Sequence, residues 1–121
     1  MTHAEVELRE PPYATPDFAF LTNHGKTLLL IANDPRIRMR DIADRLQITE
    51  RATHRIVSEL VGAGYVDRER EGRRNRYSVR THLPLGLPLQ RDIDIESLLA
   101  VVFGQDDPRA VARVEKTPAR S

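Results

Sequence analysis

The chain contains no cysteine and no tryptophan, and aromatic residues make up only 5% of its 121 positions. The missing thiols exclude a disulfide scaffold, a thiol nucleophile and any zinc site built on thiolates. Scarce aromatics leave the core to Leu, Ile, Val and Ala, a modest core for one domain with tails, of a kind that dimerisation often supports. Apolar runs such as Leu28 to Ala32 are far too short to span a bilayer. The first ten residues, MTHAEVELRE, alternate charge with apolar side chains and lack the apolar stretch of a signal peptide. A soluble cytoplasmic protein with no membrane partner is the expectation.

Net charge is also nearly absent, at +1, but its distribution is uneven. Residues 1–35 carry two basic and five acidic side chains, a net −3. Residues 36–82 carry twelve basic and seven acidic, a net +5, and residues 83–121 carry five basic and six acidic, a net −1. The positive charge gathers in the middle of the chain, where the sequence pattern is most regular. Clustered like charge is unfavourable unless water or a partner absorbs it.

Local signals divide the chain as follows. Residues 1–16 contain PPYATP and read as a flexible N-terminal arm. Thr22 or Asn23 can cap a helix running to about Asn33, which Asp34-Pro35 stops. Arg36 to Met39 alternates polar and apolar residues as a short strand would, and Asp41 to Leu46 reads as a short helix. Thr49 is a suitable N-cap for the next helix, Glu50 to about Gly62, and the three or so residues between these helices match a helix-turn-helix. Gly62 and Gly64 supply the stop. Tyr65 to Arg70 and Arg76 to Arg80 read as strands joined by a five-residue loop, Glu71 to Asn75, which places Arg73 and Arg74 at a hairpin tip. The Pro- and Leu-rich LPLGLPLQ reads as an extended crossing, Asp94 as the cap of a last helix within a C-terminal dimerisation segment taken as 90–104, and residues 105–121 as a disordered tail.

The order helix, strand, helix, helix, hairpin is that of a winged helix-turn-helix, a mainly helical α+β fold with a two-stranded wing and a C-terminal helix. The combination IADRLQIT, LVGAGYV and GRRNRY resembles winged-helix transcriptional regulators of the MarR/ArsR type, and looks closest to a small actinobacterial-style subgroup of them. The resemblance runs from about Asn23 to Leu89 within a DNA-binding domain taken as 17–89. It implies that the helix from Thr49 to Gly62 is the recognition helix and that Glu71 to Asn75 is the wing. Arg38 stands where many relatives have a Thr or Ser cap. The metal-sensing cysteines of some relatives are absent, so metal sensing does not carry over. Typical MarR proteins are longer and build a ligand pocket from their terminal helices, so a small-molecule effector has no support here.

On the second helix, Arg51, His54, Arg55 and Ser58 recur at i, i+3, i+4 and i+7, a polar stripe opposite Ala52, Thr53, Ile56, Val57, Leu60 and Val61. In a helix-turn-helix the N-terminal half of that helix enters the major groove. There Arg51 and Arg55 can donate to guanine O6 and N7, while Thr49, His54 or Ser58 reaches a base edge or a phosphate. Glu50 is better read as favouring the helix N-terminus than as a base contact. Arg73 and Arg74, with Asn75 and Arg76, suit the minor groove or phosphates. Arg36, Arg38 and Arg40 read equally well as phosphate contacts and as solvated charge.

The expected partner is double-stranded DNA. The expected function is a sequence-specific transcriptional regulator of the repressor kind, with a protein-interaction module as the alternative. Phe18, Leu21, Ile95, Leu98, Leu99, Val102 and Phe103 are more apolar surface than the first helix can cover, which predicts a two-fold homodimer through the terminal helices. No cofactor is expected. His3, His24, His54 and His82 lack metal-ligand spacing, and no nucleophile or phosphate-loop pattern points to an enzyme.

Overall fold

The computed structural model describes residues 17–104. The arm assigned to 1–16 and the tail assigned to 105–121 lie outside the described residues.

Helix α1 spans Asn23–Asn33 and starts where the Thr22 hydroxyl accepts the Gly25 N–H at 3.1 Å. It buries Thr27, Leu28, Ile31 and Ala32, and it ends where the Asp34 N–H donates to the Leu30 carbonyl ahead of Pro35. Helix α2, Met39–Leu46, has no side-chain cap at Arg38 and buries Ile42 and Ala43. The strand expected over Arg36 to Met39 does not form. The Asp34 carboxylate accepts the Arg36 N–H at 3.1 Å, Ile37 N–H turns back to the Asp34 carbonyl, and Met39 already belongs to α2. The alternation there came from Ile37, buried in the core, and Met39, packed against it from the first turn of a helix.

Gln47, Ile48 and Thr49 separate α2 from helix α3, Glu50–Gly62. Gln47 sits in the left-handed region at φ 59°, and Ile48 N–H bonds back to the Ala43 carbonyl, which closes α2. The Thr49 hydroxyl then accepts the Ala52 N–H at 3.0 Å and opens α3. At the far end Tyr65 N–H donates to the Leu60 carbonyl and Gly64 N–H to the Val61 carbonyl, with Gly64 at φ +87°. This pair of bonds is the Schellman arrangement, and it needs a residue that tolerates positive φ.

Strands β1 (Val66–Glu71) and β2 (Arg74–Val79) pair antiparallel with Val66 opposite Val79 and Glu71 opposite Arg74. The five-residue loop of the sequence reading is therefore a two-residue turn, Gly72-Arg73. Gly72 has φ +62° while Arg73 has negative φ, the glycine-first combination of a type II′ hairpin. Because the side-chain period of a strand is two, Val66, Tyr77 and Val79 turn into the core while Asp67, Glu69, Arg74 and Arg76 occupy the opposite face.

After β2 the chain is extended over 83–85, where the Leu85 N–H meets the Ile93 carbonyl and the Ile95 N–H the Leu83 carbonyl, and then it turns back. The Asp92 carboxylate accepts the N–H groups of Gly86, Leu87 and Ile93 and folds residues 86–92 into a closed loop. Those bonds to the charged carboxylate, led by the one from Leu87, hold Asp92 below its ordinary pKa. Tyr65 Oη donates to the Pro84 carbonyl at 2.7 Å, and Glu96 N–H reaches the Thr81 carbonyl. These bonds seat helix α4, Ile95–Phe103, on the domain, with Asp94 capping it through Ser97 N–H at 3.0 Å. A single buried cluster joins Leu28 and Ile31 of α1, Ile42 of α2, Ile56, Val57 and Leu60 of α3, the wing's Tyr77 and Val79, and Ile95 and Leu99 of α4. Each fully buried Leu or Ile contributes about 1.5–3 kcal/mol of hydrophobic stabilisation. So α4 belongs to the same core as the rest, not to a separate unit.

Candidate nucleic-acid interface

Helix α3 turns Thr53, Ile56, Val57 and Leu60 inward, and its register leaves Glu50, Arg51, His54, Arg55 and Ser58 exposed. The predicted stripe is therefore present on one face. Thr49 is differently employed: its hydroxyl caps α3, and its carbonyl accepts the Thr53 hydroxyl at 3.1 Å. Glu50 lies in the first turn, where a carboxylate favours the helix dipole.

Glu59, which the sequence reading left out, lies beside this stripe. Its Oε2 is 3.6 Å from Arg55 Nη1, and its Oε1 accepts the His24 Nε2–H of α1 at 2.7 Å. The His24 hydrogen bond, aided by the Arg55 charge, holds the Glu59 carboxyl below its usual value. The Arg55 partner was legible as an i, i+4 pair on a helix. The His24 contact was not, because it depends on how α1 packs on α3. The side chains of Arg51, His54 and Ser58 have no hydrogen bond or ion pair among the described residues.

At the wing, Arg73 occupies the second position of the turn, is exposed, and has no partner among the described residues. Arg74 does not project with it. Its Nη2 donates to the Arg36 carbonyl at 2.7 Å, and it faces Glu71 across the hairpin. Arg36 in turn donates Nε to Glu71 Oε1 at 2.9 Å and Nη2 to Oε2 at 3.3 Å. That hydrogen-bonded pair lowers the Glu71 pKa and raises that of Arg36. Arg36, placed in the sequence between phosphate contact and solvated charge, is thus a brace between the wing and the start of α2. Asn75 is half-buried and its Nδ2 donates to Tyr77 Oη at a long 3.4 Å, so it turns toward the body and not to the tip. Arg76 is half-buried opposite Glu69.

The predicted dimer residues separate into two sets. Ile95 and Leu99 are 4% and 0% exposed within the single chain, so they have no surface left for a partner, which corrects their assignment. Leu98 and Phe103 are half-buried, the latter against the core, while Phe18, Leu21 and Val102 are exposed. Phe20 and Val101, at 89% and 83% exposure, were missed and are the most exposed of the large apolar side chains. Phe18 and Phe20 meet edge to face with ring centroids 5.3 Å apart. No group of histidine and carboxylate side chains among the described residues has the arrangement of a metal site. No helix among them is long and apolar enough to cross a membrane.

Residues 22–76 match the model of the MarR family. The matched segment runs from the cap of α1 to the third residue of β2, and so takes in the helix-turn-helix and most of the wing, while α4 lies outside it. Among curated proteins and solved structures, none matches the chain.

Proposed function

We propose that this chain, which carries a MarR-type winged helix over residues 22–76, is a dimeric regulator that binds double-stranded DNA in a sequence-specific way and represses transcription. The MarR family is one of DNA-binding transcription regulators, and the finer reading rests on α3. The observation that carries it is the exposed stripe Arg51, His54, Arg55 and Ser58 on the second helix of a helix-turn-helix. Arg51 and Arg55 present guanidinium forks suited to guanine, and His54 and Ser58 add adaptable donors. To reach a base, Arg55 leaves a half-exposed ion pair with Glu59, a small loss in high dielectric. Arg73 adds a free charge at the wing tip, which suits a narrow minor groove. The exposed Phe18, Phe20, Val101 and Val102 support the pairing of two copies through the terminal segments.

Selection of bound sequences from a random duplex pool at moderate salt tests this reading. A two-fold motif with half-sites about one helical turn apart is the expected result. Against that motif, Arg55→Ala loses on the order of 1–3 kcal/mol of discrimination at one base step. A pool recovered without enrichment removes sequence reading and leaves nonspecific DNA association or a protein-interaction module.

A further inference from the structure

One carboxylate of α3 is shared between donors on two helices. Glu59 Oε1 accepts the Nε2–H of His24, in the first turn of α1, at 2.7 Å. Its Oε2 lies 3.6 Å from Nη1 of Arg55, one turn earlier on α3. The first contact is a short hydrogen bond to a charged acceptor, whereas the second is longer than an N–H···O bond. The His24 bond also lowers the Glu59 pKa most, with the Arg55 charge behind it. An arginine and a glutamate four residues apart on a helix face one another, and their tightest union is a fork of two parallel N–H···O bonds. A fork needs both carboxylate oxygens, and here His24 holds one of them. Arg55 keeps a one-pronged contact, and its other guanidinium donors have no partner among the described residues. They remain on the exposed face with Arg51, His54 and Ser58.

We propose that His24, by holding one oxygen of Glu59, controls how freely Arg55 is presented on the exposed face of α3. On the regulator reading above, on which this consequence rests, His24 is thereby a positioning residue for base readout, although it lies on α1. Arg55 meets a matched base by leaving Glu59, and stays with Glu59 when the base is wrong. The tighter the grip of Glu59, the smaller the difference between the two bases. Loss of His24 frees the second oxygen, lets the fork close and costs discrimination. Loss of the Glu59 charge releases Arg55 and gains it. A mere staple between α1 and α3 uses the same bond but predicts neither change, because packing at the far side of Glu59 does not alter which base Arg55 prefers. The pairs involved are open to solvent, so the changes are small factors, about twofold to fivefold.

The test compares the ¹⁵N-labelled full chain with His24→Ala, Glu59→Gln and the double variant, at about pH 8 where imidazoles are ordinarily neutral. Unchanged circular dichroism confirms that each variant folds. In the free chain the Arg55 Nε–H signal moves in His24→Ala and its exchange with water slows as the fork closes. In Glu59→Gln that exchange quickens, and the double variant behaves as Glu59→Gln alone. Binding is then measured on the selected duplex and on its partner altered at the base step that Arg55→Ala identifies. The ratio of the two affinities falls about twofold to fivefold in His24→Ala and rises in Glu59→Gln, and the double variant again follows Glu59→Gln. The general repulsion between Glu59 and DNA is common to both duplexes and cancels in the ratio. An Arg55 signal and a ratio that His24→Ala leaves unchanged overturn the positioning role, as do effects of His24→Ala that persist in the Glu59→Gln background; either leaves the regulator reading intact. A pool without a selected motif removes the regulator reading instead. The free-chain signals then decide whether His24 governs Arg55, upheld by the ordered response above and overturned by an Arg55 signal that stays still.

Discussion

Glu71 and Arg36 lie 35 residues apart in sequence and meet through two hydrogen bonds, at 2.9 and 3.3 Å. This clamp, with Arg74 on the Arg36 carbonyl and Tyr77 N–H on the Pro35 carbonyl, fastens the wing to the segment that leads into α2. The Glu71 pKa is lowered in the folded chain, first by the Arg36 hydrogen bond. The clamp is therefore complete above the ordinary glutamate range and is lost as pH falls through the lowered folded value. Glu71→Gln weakens it at neutral pH, taking away the charge and one of its two acceptors. The Tyr77 amide then exchanges with solvent faster than in the parent chain, while the Ile31 amide in the core of α1 is unaffected. Equal Tyr77 exchange in the two proteins would mean that backbone pairing alone holds the wing.

Three of the four described helices were legible at their starts because those starts are chemical, whereas α2 begins at Met39 without a side-chain cap and was read from Asp41. Thr22, Thr49 and Asp94 each accept a backbone N–H within three residues, and a short polar side chain before an apolar periodic run announces that bond. The exposed stripe of α3 followed from the same periodicity. The wing was less legible. Charged residues around Glu71 to Asn75 read as loop, yet Glu71 and Arg74 form a cross-strand pair, and only the position of Gly72 fixes where the turn lies. The brace from Arg36 and the loop closed by Asp92 join groups whose proximity is set by packing, which no local pattern encodes. Helix α4 shows a further limit. Its periodicity identified Ile95 and Leu99 as apolar partners of something but could not say whether that something was the chain's own core or a second copy.

Gln47 carries a side chain at φ 59°, the conformation that L-residues other than Asn and Asp adopt with strain. Its Nε2 donates to the Asp44 carbonyl at 3.0 Å, which offsets part of that strain. Gln47→Gly removes both the strain and the bond, and also frees the unfolded chain. Relief of about 1–2 kcal/mol of left-handed strain outweighs the cost of glycine's extra freedom, about 0.5–1 kcal/mol, so the variant is favoured, by less than about 1 kcal/mol once the lost bond is counted. Urea unfolding decides it: a lower midpoint would show that the Gln47–Asp44 bond outweighs the strain.

Thr27 is fully buried in α1, and its hydroxyl has no hydrogen-bond partner. A buried hydroxyl left without a partner costs about 1–3 kcal/mol, and valine has nearly the same shape. Thr27→Val therefore stabilises the fold by about 1 kcal/mol, since valine and threonine have nearly equal helix preference. An increase in melting temperature checks this. A decrease would reveal that the hydroxyl is satisfied in solution, for instance by a water.

Leu99 and Val101 sit two residues apart on α4 at opposite extremes, 0% and 83% exposed. Their substitutions should separate two properties that the sequence alone leaves merged. Leu99→Ala opens a cavity under α4 and costs about 2–5 kcal/mol of stability. Val101→Glu removes little from the core, so unfolding is nearly unchanged. If Val101 contributes to the proposed dimer, a buried carboxylate there weakens association by about tenfold or more. Sedimentation equilibrium of the two variants against the parent chain distinguishes the outcomes. Dimer loss in Val101→Glu with an intact unfolding transition locates the interface on the outer face of α4. An unchanged association constant would move it away from Val101, with the paired Phe18 and Phe20 rings as the next exposed apolar surface to test.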